Sequence, residues 1–219
     1  MLIALRGLEQ VAKQAAPKKS DKVNVIAYAD DFVITGASKE ILENKIRPAV
    51  EEFLGIRGLE LSEEKTSITH IQEGFDFLGF NIRKYNNKLL IKPAKKNVLE
   101  FVEAAKEIIR KGRGMNAEHL IYQLNPKLIG WANYYRGSVA KKVFSYVDYQ
   151  IYKELWRWTK RRHANKSKQW LVKKYYRVRA GNVWIFKATS KTSKGEIKPI
   201  ELAKISTISI RTHIKVRSE

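Results

Sequence analysis

Apolar and polar positions alternate along the chain in a way that predicts a strand-rich first part, a helical second part and strands again at the end. Leu2, Leu5, Leu8 and Val11 or Ala12 recur at helical spacing and predict a short amphipathic helix over 1–14, with a polar linker over 18–21. Val23, Val25 and Ala27 alternate before Asp30 and Asp31, and Phe32 to Ile34 follow the pair, which predicts a β-hairpin with two carboxylates at its tip. Ser38 suits the N-cap of a helix over 39–54, with Ile41, Leu42, Ile46, Val50, Phe53 and Leu54 on one face and a kink at Pro48. Large apolar groups surround Gly79 in 75–80, where a backbone without a side chain allows close approach. A turn at Asn86-Asn87 and a strand over 89–91 lead to Pro93, where the pattern changes. Helices are then expected over 97–111, 117–124 with Asn116 as cap, from Asn125 with Pro126 at the first position, 144–162 and 167–177. The end reads as β: a strand over 183–186, a turn at Lys194-Gly195 and alternation over 205–216 with Arg211, His213, Lys215 and Arg217 interleaved. The fold class is α+β.

Charge changes the picture more than composition does. Residues 1–100 hold 16 Lys+Arg against 14 Asp+Glu, a net +2, whereas 101–219 hold 27 against 8, a net +19. Such a field supplies affinity and on-rate for a phosphate backbone. The aromatics interleaved with it favour nucleic acid over a membrane surface. No apolar run approaches the length of a bilayer span and no signal peptide opens the chain, so a cytoplasmic location is expected. With 219 residues, 44% of them hydrophobic, there is material for one or two cores. The absence of Cys excludes disulfides, thiolate zinc sites and cysteine nucleophiles.

The residues alone leave two readings of Asp30 and Asp31: a solvated turn, or a site where a hard cation such as Mg²⁺ relieves the repulsion of adjacent carboxylates. In the helical part, Trp131, Tyr134, Tyr135, Trp156, Trp158 and Trp170 stand beside Arg136, Lys141, Lys142, Arg157, Lys160, Arg161, Arg162, Lys173 and Lys174. The rings are expected mainly in the core, with RNA contact assigned to the cations. At least one ring of Trp156-Arg157-Trp158 should lie near the surface. His163 reads as a capping or phosphate-contacting side chain, not a metal ligand.

Tyr28-Ala29-Asp30-Asp31 resembles the Tyr-x-Asp-Asp box of reverse transcriptases. Three further boxes follow in the same order: 58–66 (GLELSEEKT), 75–80 (FDFLGF) and 130–136 (GWANYYR). Together they resemble group II intron-encoded reverse transcriptase/maturases over nearly the whole chain. The resemblance implies a partial polymerase palm over 1–92 with the catalytic hairpin, a helical thumb or maturase X domain over 93–178, and a basic β-rich segment over 179–219 that leads toward a DNA-binding region. It implies Asp30 and Asp31 as Mg²⁺ ligands, and Lys65 as the group that protonates departing pyrophosphate, beside the plainer reading of a solvated lysine at a strand entry. It also implies Phe77, Leu78, Gly79 and Phe80 as a primer grip, one that equally suits a core strand. The partners it implies are intron RNA, an RNA template and a DNA primer. In such enzymes a segment like 2–9 follows the fingers and the strand with a further catalytic Asp, so the chain is expected to be the C-terminal part of a longer enzyme. It is then expected to be inactive in polymerisation unless a separate N-terminal half completes the palm. The alternatives are a non-catalytic intron-RNA-binding splicing cofactor and a non-functional remnant.

Overall fold

The computed structural model describes residues 5–179, 183–191 and 195–211. Leu2 of the expected first helix, Lys194 of the expected turn, and His213, Lys215 and Arg217 of the expected last strand lie outside them. Contacts fall into two units, one ending at Phe77 and one starting at Leu78. Among the described residues no helix is long and apolar enough to cross a membrane.

In the first unit, α1 spans Leu8–Ala15 and starts later than the periodicity predicts, because Gly7 takes a left-handed backbone (φ 97°). The expected linker holds a 3₁₀ turn, Lys19–Asp21, whose buried Asp21 accepts from Ala37 N at 2.8 Å through its carbonyl. The hairpin forms as expected: β1 (Asn24–Tyr28) pairs antiparallel with β2 (Asp31–Thr35), from Asn24 opposite Thr35 to Tyr28 opposite Asp31. The helix expected over 39–54 is present in three pieces: α2 (Lys39–Ile41), a π-turn at Leu42–Ile46 and α3 (Arg47–Gly55). Ser38 caps it, its hydroxyl accepting from Ile41 N at 3.4 Å. Pro48 has no N–H to donate, and the kink expected there takes the form of a widened turn just ahead, where Arg47 N bonds to Leu42 O. Leu8, Ala12, Ile46, Val50, Phe53 and Leu54 form the core, and Val25, Phe32 and Ile34 pack against it. Strand β3 (Phe75–Phe77) closes the unit.

The second unit opens on a hairpin, β4 (Phe80–Tyr85) and β5 (Lys88–Pro93), joined at the expected Asn86-Asn87 turn. Three long helices follow: α4 (Lys95–Lys111), α5 (Ala117–Tyr135) and α6 (Lys141–Arg162), then the short α7 (Lys168–Tyr175). Asn116 and Ser167 cap α5 and α7 through their side chains. The separate helix expected from Asn125 does not exist, since α5 runs unbroken through Pro126. Asn125 is not a cap: its amide donates to Glu201 O at 3.0 Å and accepts from Ala203 N at 2.8 Å.

The chain passes directly from α7 into β6 (Tyr176–Arg179), which pairs with β7 (Val183–Lys191), and β7 pairs in turn with β8 (Ile197–Glu201). The strand expected from Ile205 is corrected to a 3₁₀ turn, Ile205–Thr207, followed by irregular chain to Arg211. The Asp148 carboxylate on α6 explains it: the oxygens accept from Ile205 N at 3.1 Å and Ser206 N at 2.9 Å, groups a strand would spend on its ladder. Val98, Val102, Ile109, Leu120, Leu124, Leu128, Phe144, Val147, Ile151 and Leu155 line one continuous core.

Candidate functional site

The two-residue turn of the first hairpin consists of Ala29 and Asp30, with Asp31 opening β2. Ala29 has φ 54°, the conformation two-residue hairpins usually give to glycine, and an alanine is strained there. Asp30 and Asp31 are both exposed and carry hard oxygen donors of the kind Mg²⁺ takes. Among the described residues no three acidic, His or Cys side chains come together as a metal-holding group. Two carboxylates leave most of an octahedral shell to other oxygens. Lys65 is exposed on a turn whose backbone N–H donates to Ser62 O at 3.1 Å, not at a strand entry.

Of the four residues of the second motif, Phe77 ends β3 and is half-buried, while Leu78, Gly79 and Phe80 belong to the second unit. Leu78 (φ 49°) and Gly79 (φ 77°) are consecutive left-handed residues, as in a type I′ turn. Two tyrosines at the end of α5 hold this turn. Tyr134 Oη donates to Leu78 O at 2.7 Å and Tyr135 Oη to Gly79 O at 3.1 Å, while Ala94 N reaches the same Gly79 carbonyl at 2.9 Å. Phe80 stacks on Tyr134 with centroids 5.2 Å apart and meets Tyr135 edge-on at 5.0 Å. Trp131, one turn earlier, stacks on Phe101 at 4.6 Å and contacts Tyr135. Two motifs more than fifty residues apart are thus one structure. Nothing local in either stretch announces this, because the link is made by hydroxyl groups whose partners are main-chain carbonyls.

The nine cations singled out from sequence divide by what already holds them. Arg157 pairs with the buried Glu154 at 3.0 Å, and Arg162 donates to Arg113 O and Met115 O. Lys141 donates to Ile208 O, and Arg136 is half-buried with one guanidinium nitrogen on Asn133. Lys160 lies over Trp156, and Lys174 over Trp170 at 4.7 Å. Lys142, Arg161 and Lys173 are exposed and make no hydrogen bond or ion pair with another described residue. Among the tryptophans, Trp158 is buried and donates to Gly112 O, whereas Trp131, Trp156 and Trp170 are half-buried. His163 sits at the C-cap of α6 with Nε2 2.7 Å from Tyr175 Oη. Desolvation, and then Lys174, Arg162 and Lys166, hold its pKa below the usual imidazole value.

Two family models match the chain. One, described as reverse transcriptase (RNA-dependent DNA polymerase), covers residues 2–82, and the other, described as group II intron, maturase-specific domain, covers residues 98–176. No curated protein matches. The first match contains the acidic hairpin and the second contains Trp131, Tyr134 and Tyr135 and all nine cations.

Proposed function

Because the chain belongs to the group II intron reverse transcriptases/maturases, we propose that it joins a nucleotide-transfer hairpin to an intron-RNA-binding helical domain. In this proposal 1–92 is the palm portion, 93–178 the thumb or maturase domain, and 179–219 a basic segment beside it. Asp30 and Asp31 hold Mg²⁺ at the hairpin tip. Mg²⁺ held there would supply positive charge for the attacking and leaving oxygens of the transfer. Lys65 supplies the proton to the leaving group, and Phe77 to Phe80 seat the primer terminus. The carrying observation is the exposed pair of carboxylates, Asp30 in the turn and Asp31 at the start of β2, whose place is set by the register of the hairpin.

Polymerisation requires a third carboxylate from outside the described residues, and the proposal extends to a separate N-terminal half as its source. RNA binding draws on the helical domain's own cations, of which Lys142, Arg161 and Lys173 are exposed and make no hydrogen bond or ion pair with another described residue. The splicing-cofactor reading is supported by the net +19 of residues 101–219, a field that holds a phosphate backbone without any chemistry.

Primer extension on an RNA template with Mg²⁺, run beside Asp30→Ala and beside intron-RNA binding, tests both readings. Expected is no incorporation by the chain alone and intron-RNA binding that survives Asp30→Ala but collapses in the Arg161→Glu/Lys173→Glu double variant. Incorporation by the chain alone that vanishes in Asp30→Ala would overturn the need for an external ligand. Binding lost in Asp30→Ala would overturn the assignment of RNA binding to the helical domain.

A further inference from the structure

A cavity of about 440 Å³ opens between α6 and the strands β6 and β7, with the 202–206 segment as its remaining wall. That size falls within the roughly 300–1,000 Å³ of small-ligand sites. Ser145, Asp148, Tyr149 and Tyr152 enter it from positions i, i+3, i+4 and i+7 of α6, which is one helix face. Opposite them stand Tyr176 and Trp184, with ring centroids 5.9 Å apart, and Tyr152 meets Trp184 edge-on at 6.2 Å. Tyr149 is 56% exposed, so this aromatic lining reaches the surface.

Ammonium groups stand against the same rings. Lys153 Nζ lies 5.4 Å from the Tyr149 centroid, Lys168 Nζ lies 5.7 Å from that of Trp184, and Lys204 lines the cavity. Another cavity of this unit, among Phe101, Leu124, Leu128 and Trp131, has a single cation, Lys127, and an otherwise apolar lining.

We propose that the cavity between α6 and β6–β7 takes one unstacked nucleobase of a single-stranded RNA segment, with Tyr149 as the stacking surface at its mouth and Lys153, Lys168 and Lys204 on the flanking phosphates. Duplex RNA does not fit, because its bases are stacked and only their edges are accessible. Rings without cations would suit an apolar peptide side chain, and cations without rings would suit any polyanion. The combination selects a base with its phosphates. Asp148 serves the site indirectly, since its hold on Ile205 and Ser206 keeps the 202–206 wall in place.

The proposal rests on the RNA-binding reading given above, and its test separates the two. Fluorescence anisotropy is measured with a 5′-labelled oligoadenylate of roughly eight nucleotides, within the site sizes of single-strand binders. It is measured again with the same oligomer made abasic, with a labelled RNA duplex and with intron RNA. The expected result is binding of the oligoadenylate about tenfold tighter than that of the abasic oligomer, with Tyr149→Ala abolishing the difference and Tyr149→Phe retaining it. Equal affinity for the base-containing and abasic oligomers in the wild-type chain, a comparison that needs no variant, would overturn the proposal, and so would a duplex that competes equally. If intron RNA still binds in either case, the cavity assignment alone has failed. If intron RNA does not bind, the RNA-binding reading has failed with it.

Discussion

Gly79 shows how much a single position carries. Its left-handed backbone disfavours any side chain, and a Cβ built there would lie 2.9 Å from Tyr135 Oη, the group that bonds to its own carbonyl. Gly79→Ala is therefore expected to destabilise the second unit by about 2–3 kcal/mol, from the left-handed penalty plus displacement of the tyrosine, read as a lower urea midpoint at unchanged slope. The motif containing Gly79 was legible in the sequence as a place of close approach, but not what approaches, since Tyr135 is 56 residues away. The caps Ser38 and Asn116 were legible in full, because each acts on a backbone N–H three residues further on, whereas Ser167, read as the first residue of a helix, caps it instead. Ala29 is the counterexample: a residue that ordinarily favours helix holds a turn position suited to glycine, so its identity gave no sign of its backbone.

At the level of elements, hydrophobic periodicity found α4, α6 and α7 and the first hairpin, and erred where a side chain from another part of the chain took over. Asn125-Pro126 has the chemistry of a helix start, yet Asn125 gives its amide to the backbone of 201–203 and the helix continues. Pro126 has no N–H to offer the carbonyl of Tyr122, four residues earlier, and Tyr122 is an exposed residue of α5. Ile205 likewise begins an alternating apolar stretch, and Asp148 coils it into a 3₁₀ turn. Asn125→Ala removes the partners of two partly buried backbone groups and is expected to cost about 2 kcal/mol. Hydrogen exchange should then show lost protection at Ala203, with the β4–β5 hairpin unaffected. Loss of protection spread evenly over the unit would contradict a local fastening.

For the whole molecule, the net +19 of residues 101–219 was legible from composition, but its division into occupied and available cations was not. That division has a measurable signature. Log-log plots of RNA affinity against salt concentration should flatten by about one unit of slope for Arg161→Gln and for Lys173→Gln. Arg157→Gln should flatten the plot less, because Arg157 is already neutralised in part by Glu154. Equal changes for all three would mean that the Arg157–Glu154 pair opens on the RNA.

The unbroken course of α5 has a mechanical consequence. Its 19 residues make a rod about 28 Å long at 1.5 Å per residue. Midway along it Asn125 grips the end of β8 and the chain just beyond it, and at its end Tyr134 and Tyr135 grip the Leu78-Gly79 turn. A single residue inserted between these grips would rotate one against the other by about 100°, breaking a fastening at one end without touching any residue that makes it. The nine-residue interval from Asn125 to Tyr134 is thus a gauge length, as much a part of the machinery as the side chains at either end.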